Sequence, residues 1–266
     1  MAQKTSEPLT GRVNQFLLYP LSLSEIARTV DKFQLEADLE KLMLFGAYPE
    51  VFLLDDRSAR LRLDEIATHY LYQDVLAFTH LKNSRLLMDL LQLLALQLGQ
   101  EVSYQELASQ LGVSRQTTQF YLDLLEKSFV IFRLRAFSRN LRKEISKAFK
   151  VYFYDLGIRN SLIQNFNPLR LRSDVGGLWE NLMIIERLKY HSATQTLANY
   201  YFWRTYDQQE IDFIEEKEGQ LFAFEFKWSK IKKAKLPAKF SQSYKTSHFQ
   251  VVNPQNFWSF VGVESQ

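Results

Sequence analysis

Between Gly176 and Val252 the hydrophobic period switches from helical to strand-like and back, and this order limits the folds open to the chain. Gly176 to Lys189 repeats apolar residues at helical intervals, with Leu178, Leu182, Ile185 and Leu188 on one stripe. Tyr200 to Arg204 is aromatic and strand-like, and Glu210 to Ile214 alternates polar with apolar. After the turn residues Glu218-Gly219-Gln220, Leu221 to Lys227 alternates again. A further helix and the strand Phe249 to Val252 complete the order: helix, three strands, helix, strand. Side chains two apart on a strand share a face, so Phe222, Phe224 and Phe226 lie on one side. Ala223, Glu225 and Lys227 lie on the other.

Glu225-Phe226-Lys227 is an acid-x-Lys step, and Asp212 would arrive beside it from the neighbouring strand of a hairpin. Two carboxylates can hold one magnesium ion, a hard cation that prefers oxygen ligands. The ammonium of Lys227 can orient an attacking water or offset charge developing on a phosphate. Glu180 sits on the first turns of the preceding helix, away from the centre of its apolar stripe. The plainer alternative is an exposed strand whose Glu and Lys face water.

This pattern resembles the restriction-endonuclease-like PD-(D/E)xK nuclease core, from Asp174 to Val261. The resemblance implies Glu180 as the helix-borne acid, Asp212 and Glu225 as ligands of Mg2+ (with Mn2+ as a substitute), and Lys227 as the catalytic lysine. Ile211 stands where the named proline would be, a position that varies in the superfamily.

The middle of the chain carries a second pattern. Ser103 can cap a short helix from Tyr104 to Leu111, with Glu106 placed as in a capping box. Gly112-Val113 turns the chain, Ser114 caps a longer helix through Glu126, and Phe129 to Leu134 reads as a strand. Leu86 to Leu98 supplies a first helix behind the pair. Together these read as a winged helix-turn-helix with Ala108, Leu111, Val113, Tyr121, Leu122 and Leu125 inside. Arg115, Gln116, Thr118 and Gln119, at the start of the second helix, are side chains suited to base edges and phosphates. A winged helix used only for protein packing is the competing reading.

The formal charge is only +3, but it is unevenly spread. Trp228 to Gln250 holds Lys230, Lys232, Lys233, Lys235, Lys239 and Lys245 and no acid, and Arg133 to Lys150 is also basic. Such runs suit a polyanion, with Lys230, Lys232 and Lys233 closest to the acid-x-Lys step. They equally suit a solvated helix and its loop. With no cysteine, disulfides and thiolate metal sites are excluded, and no apolar run is long enough to span a bilayer. The expectation is a cytoplasmic protein with no membrane partner. Residues 25 to 80 read as scaffold helices, with Leu35, Leu39, Leu42 and Phe45 in one and Arg57 to Phe78 as another, broken between them at Gly46-Ala47-Tyr48-Pro49.

Several segments together resemble the prokaryotic AAA+-type ATPases that carry a C-terminal domain of unknown function. They are Gly11-Arg12, Leu18 to Ser22, Gly46 to Glu50, Tyr152 to Asn160 and Gly177 to Asn181, with Asp212 and Glu225 to Lys227. The resemblance implies an α+β chain: N-terminal helices and a winged helix-turn-helix, then a restriction-endonuclease-like α/β core. Residues 1–24 would be the end of an ATPase module, with Arg12 near nucleotide and the segment poorly anchored. Residues 25–137 would be the helical region, its winged helix at about 84–137, and residues 138–266 the nuclease-like domain. No G-x-x-x-x-G-K-[ST] loop occurs, so the chain has no ATP site of that kind. It reads as a C-terminal part of a larger ATPase that engages DNA and an ATPase module in cis or in trans. The functional expectation is a magnesium-dependent DNA nuclease. The alternatives are a catalytically inactive nuclease-like fold acting as a DNA- or protein-binding adaptor and, by analogy of architecture, a toxin-antitoxin or defence-associated regulator.

Overall fold

Short polar side chains set where most helices begin in the computed structural model, which describes residues 17–70, 84–138, 148–229 and 234–263. Ser22 makes a full capping box for α1 (Leu23–Ile26), and Asp31 accepts the Gln34 amide to start α2 (Lys32–Phe45). After α3 (Pro49–Phe52), Asp55 opens α4 (Asp56–Glu65). The helix expected to run from Arg57 to Phe78 changes to a π turn over Ile66–Tyr70, and the rest of that span lies outside the described residues. Helix α5 (Ser84–Leu96) precedes the short strand β1 (Glu101–Val102). Ser103 starts α6 (Tyr104–Leu111), Gly112 ends it at φ +67°, and Ser114 starts α7 (Arg115–Lys127). Glu106 turns instead to Gln97, whose Nε2 donates to it at 3.2 Å.

Strands β2 (Ile131–Ala136) and β3 (Phe149–Phe153) follow, then α8 (Leu156–Leu162) and α9 (Val175–Ala193). Next come β4 (Asn199–Arg204), β5 (Glu210–Lys217), β6 (Gln220–Phe226), α10 (Ala238–Ser243) and β7 (Thr246–Val252). The result is a mixed α+β fold. All seven described strands form one sheet in the order β1-β3-β2-β4-β5-β6-β7. Strands β4, β5 and β6 are an antiparallel meander, and β7 returns parallel to β6. Strand β2 pairs antiparallel with β3 and parallel with β4, so the sheet runs unbroken from the helical half into the acid-bearing half. One hydrophobic cluster joins Leu35, Leu94, Phe153, Trp179 and Phe213 across both halves.

The segments Gly46 to Glu50 and Tyr152 to Asn160 meet where α2 ends on the start of α8. Asp155 accepts the Ala47 amide at 2.7 Å and the Ile158 amide at 3.1 Å. Asn160 donates to the carbonyls of Met43 and Leu44, both at 2.9 Å. Gly46 has φ +71°, and a Cβ there would fall 2.1 Å from an Asp155 oxygen. These residues are a structural joint.

The weak anchoring expected of residues 1–24 fails at residues 21–24. Leu23 is buried and its amide donates to Glu186 Oε2 at 2.6 Å, while Lys189 Nζ donates to the Leu21 carbonyl at 2.9 Å. Residues 21–24 are therefore held, because the buried Glu186–Lys189 pair on α9 needs the partners that this backbone supplies. Arg12 lies outside the described residues. Among the described residues, no helix is long and apolar enough to cross a membrane.

Candidate active site

Hairpin register brings the first two acids together. Phe213 pairs with Phe224 across β5 and β6, which sets Asp212 beside Glu225. Asp212 Oδ2 accepts the Phe226 amide at 2.8 Å, fixing its carboxylate over the start of the acid-x-Lys step. Lys227 Nζ reaches Glu225 Oε1 at 2.8 Å and lies 3.7 Å from Asp212 Oδ2. One ammonium thus bridges two carboxylates.

Glu180 joins them from α9. Its Oε1 accepts Tyr152 Oη at 2.5 Å and Lys150 Nζ at 3.1 Å. Lys150 Nζ also lies 2.6 Å from Glu210 Oε1. The four residues expected from the sequence, Glu180, Asp212, Glu225 and Lys227, therefore share one region, together with three not anticipated: Lys150, Tyr152 and Glu210. The available signal was in β3, where Phe149-Lys150-Val151-Tyr152-Phe153 is buried along its whole length. A lysine in such a strand needs a counter-charge inside the protein.

Mutual electrostatic influence shows how closely the groups crowd. Burial pushes the Glu180 carboxyl up to about 7; Lys150 opposes the shift and Asp212 adds to it. Burial also raises Asp212 against the pull of Lys150 and Lys227, and raises Glu225 with added repulsion from Asp212. Burial pulls both lysines down, but the carboxylates win. Lys150 is held above its usual range by Glu180, Glu210 and Asp212, and Lys227 by Asp212 and Glu225. Lys150 stays charged because several acids face it, whereas Glu180 must share that single ammonium with Glu210. With all four carboxylates ionised, two ammonium groups leave an excess of two negative charges. Arg204 comes within 4.0 Å of Glu210 but lies nearer Glu101, at 3.6 Å, so it brings its own counter-charge.

That excess is the charge of one divalent cation. The donors suit a hard ion, and solvent reaches the cluster: the side chains of Glu210 and Lys227 are 29% and 28% exposed, those of Glu225 and Asp212 14% and 10%. Among the described residues no group of three His, Asp or Glu gathers as a metal cage. Magnesium commonly takes one or two carboxylates and keeps several waters, so Asp212 with Glu225 fits it.

The nucleic-acid residues fare unevenly. Arg115, Gln116 and Gln119 are exposed on α7, and the Arg115 guanidinium lies 5.7 Å over the Tyr104 ring. Thr118 is a correction: it is 1% exposed and its hydroxyl donates to the Ser114 carbonyl. It lies three and four residues ahead of Tyr121 and Leu122, on the same inward face. Lys230, Lys232 and Lys233 lie outside the described residues. Arg133, from the other basic run, is committed to Asp123, Glu126 and the Tyr104 hydroxyl.

Two family matches divide the chain. Residues 36–169 match the domain of unknown function DUF8612, and residues 175–257 match the domain of unknown function DUF4143. An uncharacterized protein of Mycobacterium tuberculosis is 28% identical over 226 residues, covering 84% of this chain and 48% of that protein. An uncharacterized protein of Haemophilus influenzae is 25% identical over 227 residues (80% and 52%). One of Methanocaldococcus jannaschii is 25% identical over 238 residues (82% and 51%). The chain thus spans about half the length of the curated relatives it matches. No solved structure matches it.

Proposed function

The chain belongs to the DUF8612 family, and we propose that it is the nucleic-acid-associated, metal-dependent nuclease module of an AAA+-type ATPase. The observation that carries this reading is the convergence of Asp212, Glu225 and Lys227, with Lys227 Nζ 2.8 Å and 3.7 Å from the two carboxylates. Behind them, α9-β4-β5-β6-α10-β7 follows the order of a PD-(D/E)xK core, with β7 parallel to β6. In front of them, α5-β1-α6-α7-β2-β3 with strand order β1-β3-β2 follows that of a winged helix. Its exposed Arg115, Gln116 and Gln119 are the DNA contacts. The ATPase reading draws on the sequence likeness and on DUF4143, which recurs in C-terminal regions associated with AAA ATPases.

Asp212 and Glu225 would hold magnesium, with manganese as its substitute, and the ion would supply Lewis-acid polarisation of a phosphoryl oxygen and a more acidic water. Lys227 turns from bridging the acids to orienting the attacking water or offsetting charge on the phosphate. Glu180, poised near 7, can take up or release a proton at its carboxyl close to neutral pH. Supercoiled-plasmid nicking in magnesium or manganese tests the proposal. Asp212→Asn keeps an acceptor for the Phe226 amide, and Lys227→Ala removes the amine. Both variants should fold and neither should nick. Unchanged nicking by either would remove the mechanism.

A second reading rests on the same bridge. Lys227 already gives both carboxylates a cation, as in a nuclease-like fold kept as a DNA- or protein-binding adaptor. Binding would then follow the basic residues alone, and a DNA affinity independent of salt would contradict it.

A further inference from the structure

Lys150 reaches the acid site from the other family segment. DUF8612, at 36–169, supplies Lys150 and Tyr152, and DUF4143, at 175–257, supplies Glu180, Glu210, Asp212, Glu225 and Lys227. The lysine is placed with care. Strand β3 is paired on both sides, with Lys150 opposite Glu101 of β1 and Leu134 of β2, so its backbone position is fixed. Its side chain is 3% exposed and ends 3.1 Å from Glu180 and 2.6 Å from Glu210. The ammonium lies 5.5 Å from the centre of the Phe202 ring, whose face also favours a cation. Tyr152, two residues on and facing the same way, donates to the oxygen of Glu180 that Lys150 also contacts. Glu180 is thereby held by two groups of β3.

We infer that Lys150 is a built-in cation of the acid site, balancing Glu180 and Glu210 so that the site takes one divalent ion, at Asp212 and Glu225, and not two. The inference rests on the metal-dependent reading of the site and specifies its stoichiometry. Faced only by Lys227, the four carboxylates would carry an excess of three negative charges, more than one divalent ion offsets. A lysine on β3 offsets part of the charge of Glu180 and Glu210 and leaves Asp212 and Glu225 for a metal. It also makes the site composite: the acid-bearing segment itself offers Glu210 only Arg204, 4.0 Å away and nearer Glu101, whereas Lys150 contacts both Glu180 and Glu210. Lys150 is a positioning residue, acting through Glu180 and Glu210 and not on substrate.

The test counts manganese ions bound to the full chain by calorimetry and by electron paramagnetic resonance of free manganese. The unmodified chain should bind one ion. Lys150→Met keeps the length of the side chain and removes its charge. It should bind two ions, and its melting temperature should be lowered without metal and recovered with it. The double variant Lys150→Met, Glu180→Gln removes the cation with one of its partners. It should fold without metal and bind one ion, which keeps the idea testable if the single variant does not fold. Two ions in the unmodified chain, one ion in folded Lys150→Met, or two in the double variant would each overturn the assignment while leaving the metal-dependent reading intact. No ion in the unmodified chain would sink that reading itself.

Discussion

Removing the charge of Glu180 should stabilise the protein at alkaline pH. Its carboxyl is pushed from an ordinary 4.5 to about 7 by burial, with Lys150 offsetting part of the effect and Asp212 adding to it. The folded state therefore holds this proton more tightly than the unfolded chain. Between about pH 4.5 and 7, stability falls as pH rises, and the penalty is complete above the folded value. One pKa unit corresponds to about 1.4 kcal/mol, so the shift amounts to roughly 3 kcal/mol. Glu180→Gln cannot ionise, yet its amide oxygen can still accept from Tyr152. The variant should match the parent near pH 4.5 and exceed it by up to about 3 kcal/mol at pH 8. Urea unfolding in metal-free buffer at the two pH values measures the difference, and acids remote from the cluster titrate alike in both proteins and cancel. A variant less stable than the parent at pH 8 would refute the reasoning, because ionised Glu180 would then gain more from Lys150 than it loses by burial. A gain in stability at a residue proposed for catalysis would be the familiar exchange of stability for a charged site.

Other consequences follow from the packing and the buried charges. Glu215 is fully buried and takes Arg187 Nε at 2.5 Å and Nη2 at 3.1 Å, with Lys217 at 3.7 Å. Arg187→Met should cost about 3 kcal/mol in chemical denaturation, since Lys217 only partly replaces the lost partner; a loss below about 1 kcal/mol would contradict this. A Cβ on Gly157 would lie 2.2 Å from the Phe45 carbonyl oxygen, so Gly157→Ala should destabilise by on the order of 3 kcal/mol, read from the same experiment. Burial depresses His191 from 6.5 to about 4, against the pull of Glu215. Its imidazole should stay neutral through pH 5 by NMR, with stability lost as pH falls from about 6.5 towards 4; titration near 6.5 would contradict the burial argument.

The acid-bearing half was largely legible because its period changes sharply and most of its candidate site residues sit on strands. Alternation along Leu221 to Lys227 was enough to put Glu225 and Lys227 on one face, where Lys227 meets Glu225 at 2.8 Å. The caps at Ser103 and Ser114 were readable for a similar reason: the donor lies three residues from the acceptor. Thr118 was misread because groove-facing and core-facing residues on a short helix differ by one position. Lys150 and Tyr152 were missed because the β2–β3–β1 pairing delivers them to Glu180, and no local pattern encodes that pairing. The hold on Leu21 to Ser24 escaped for the same reason, since its anchors Glu186 and Lys189 are distant in sequence. The Gly46 and Gly157 segments were legible as a resemblance, but their work as a joint became apparent only from the contacts with Asp155 and Asn160.

The central claim is that a divalent ion belongs between Asp212 and Glu225. Anomalous scattering from a crystal of the full chain grown with manganese addresses it without reference to any substrate. The account requires a single peak bounded by those two carboxylates, with the Lys227 amine drawn away from at least one of them. No peak, with Lys227 still bridging both acids, would show that the protein's own lysine is the only cation this site accepts.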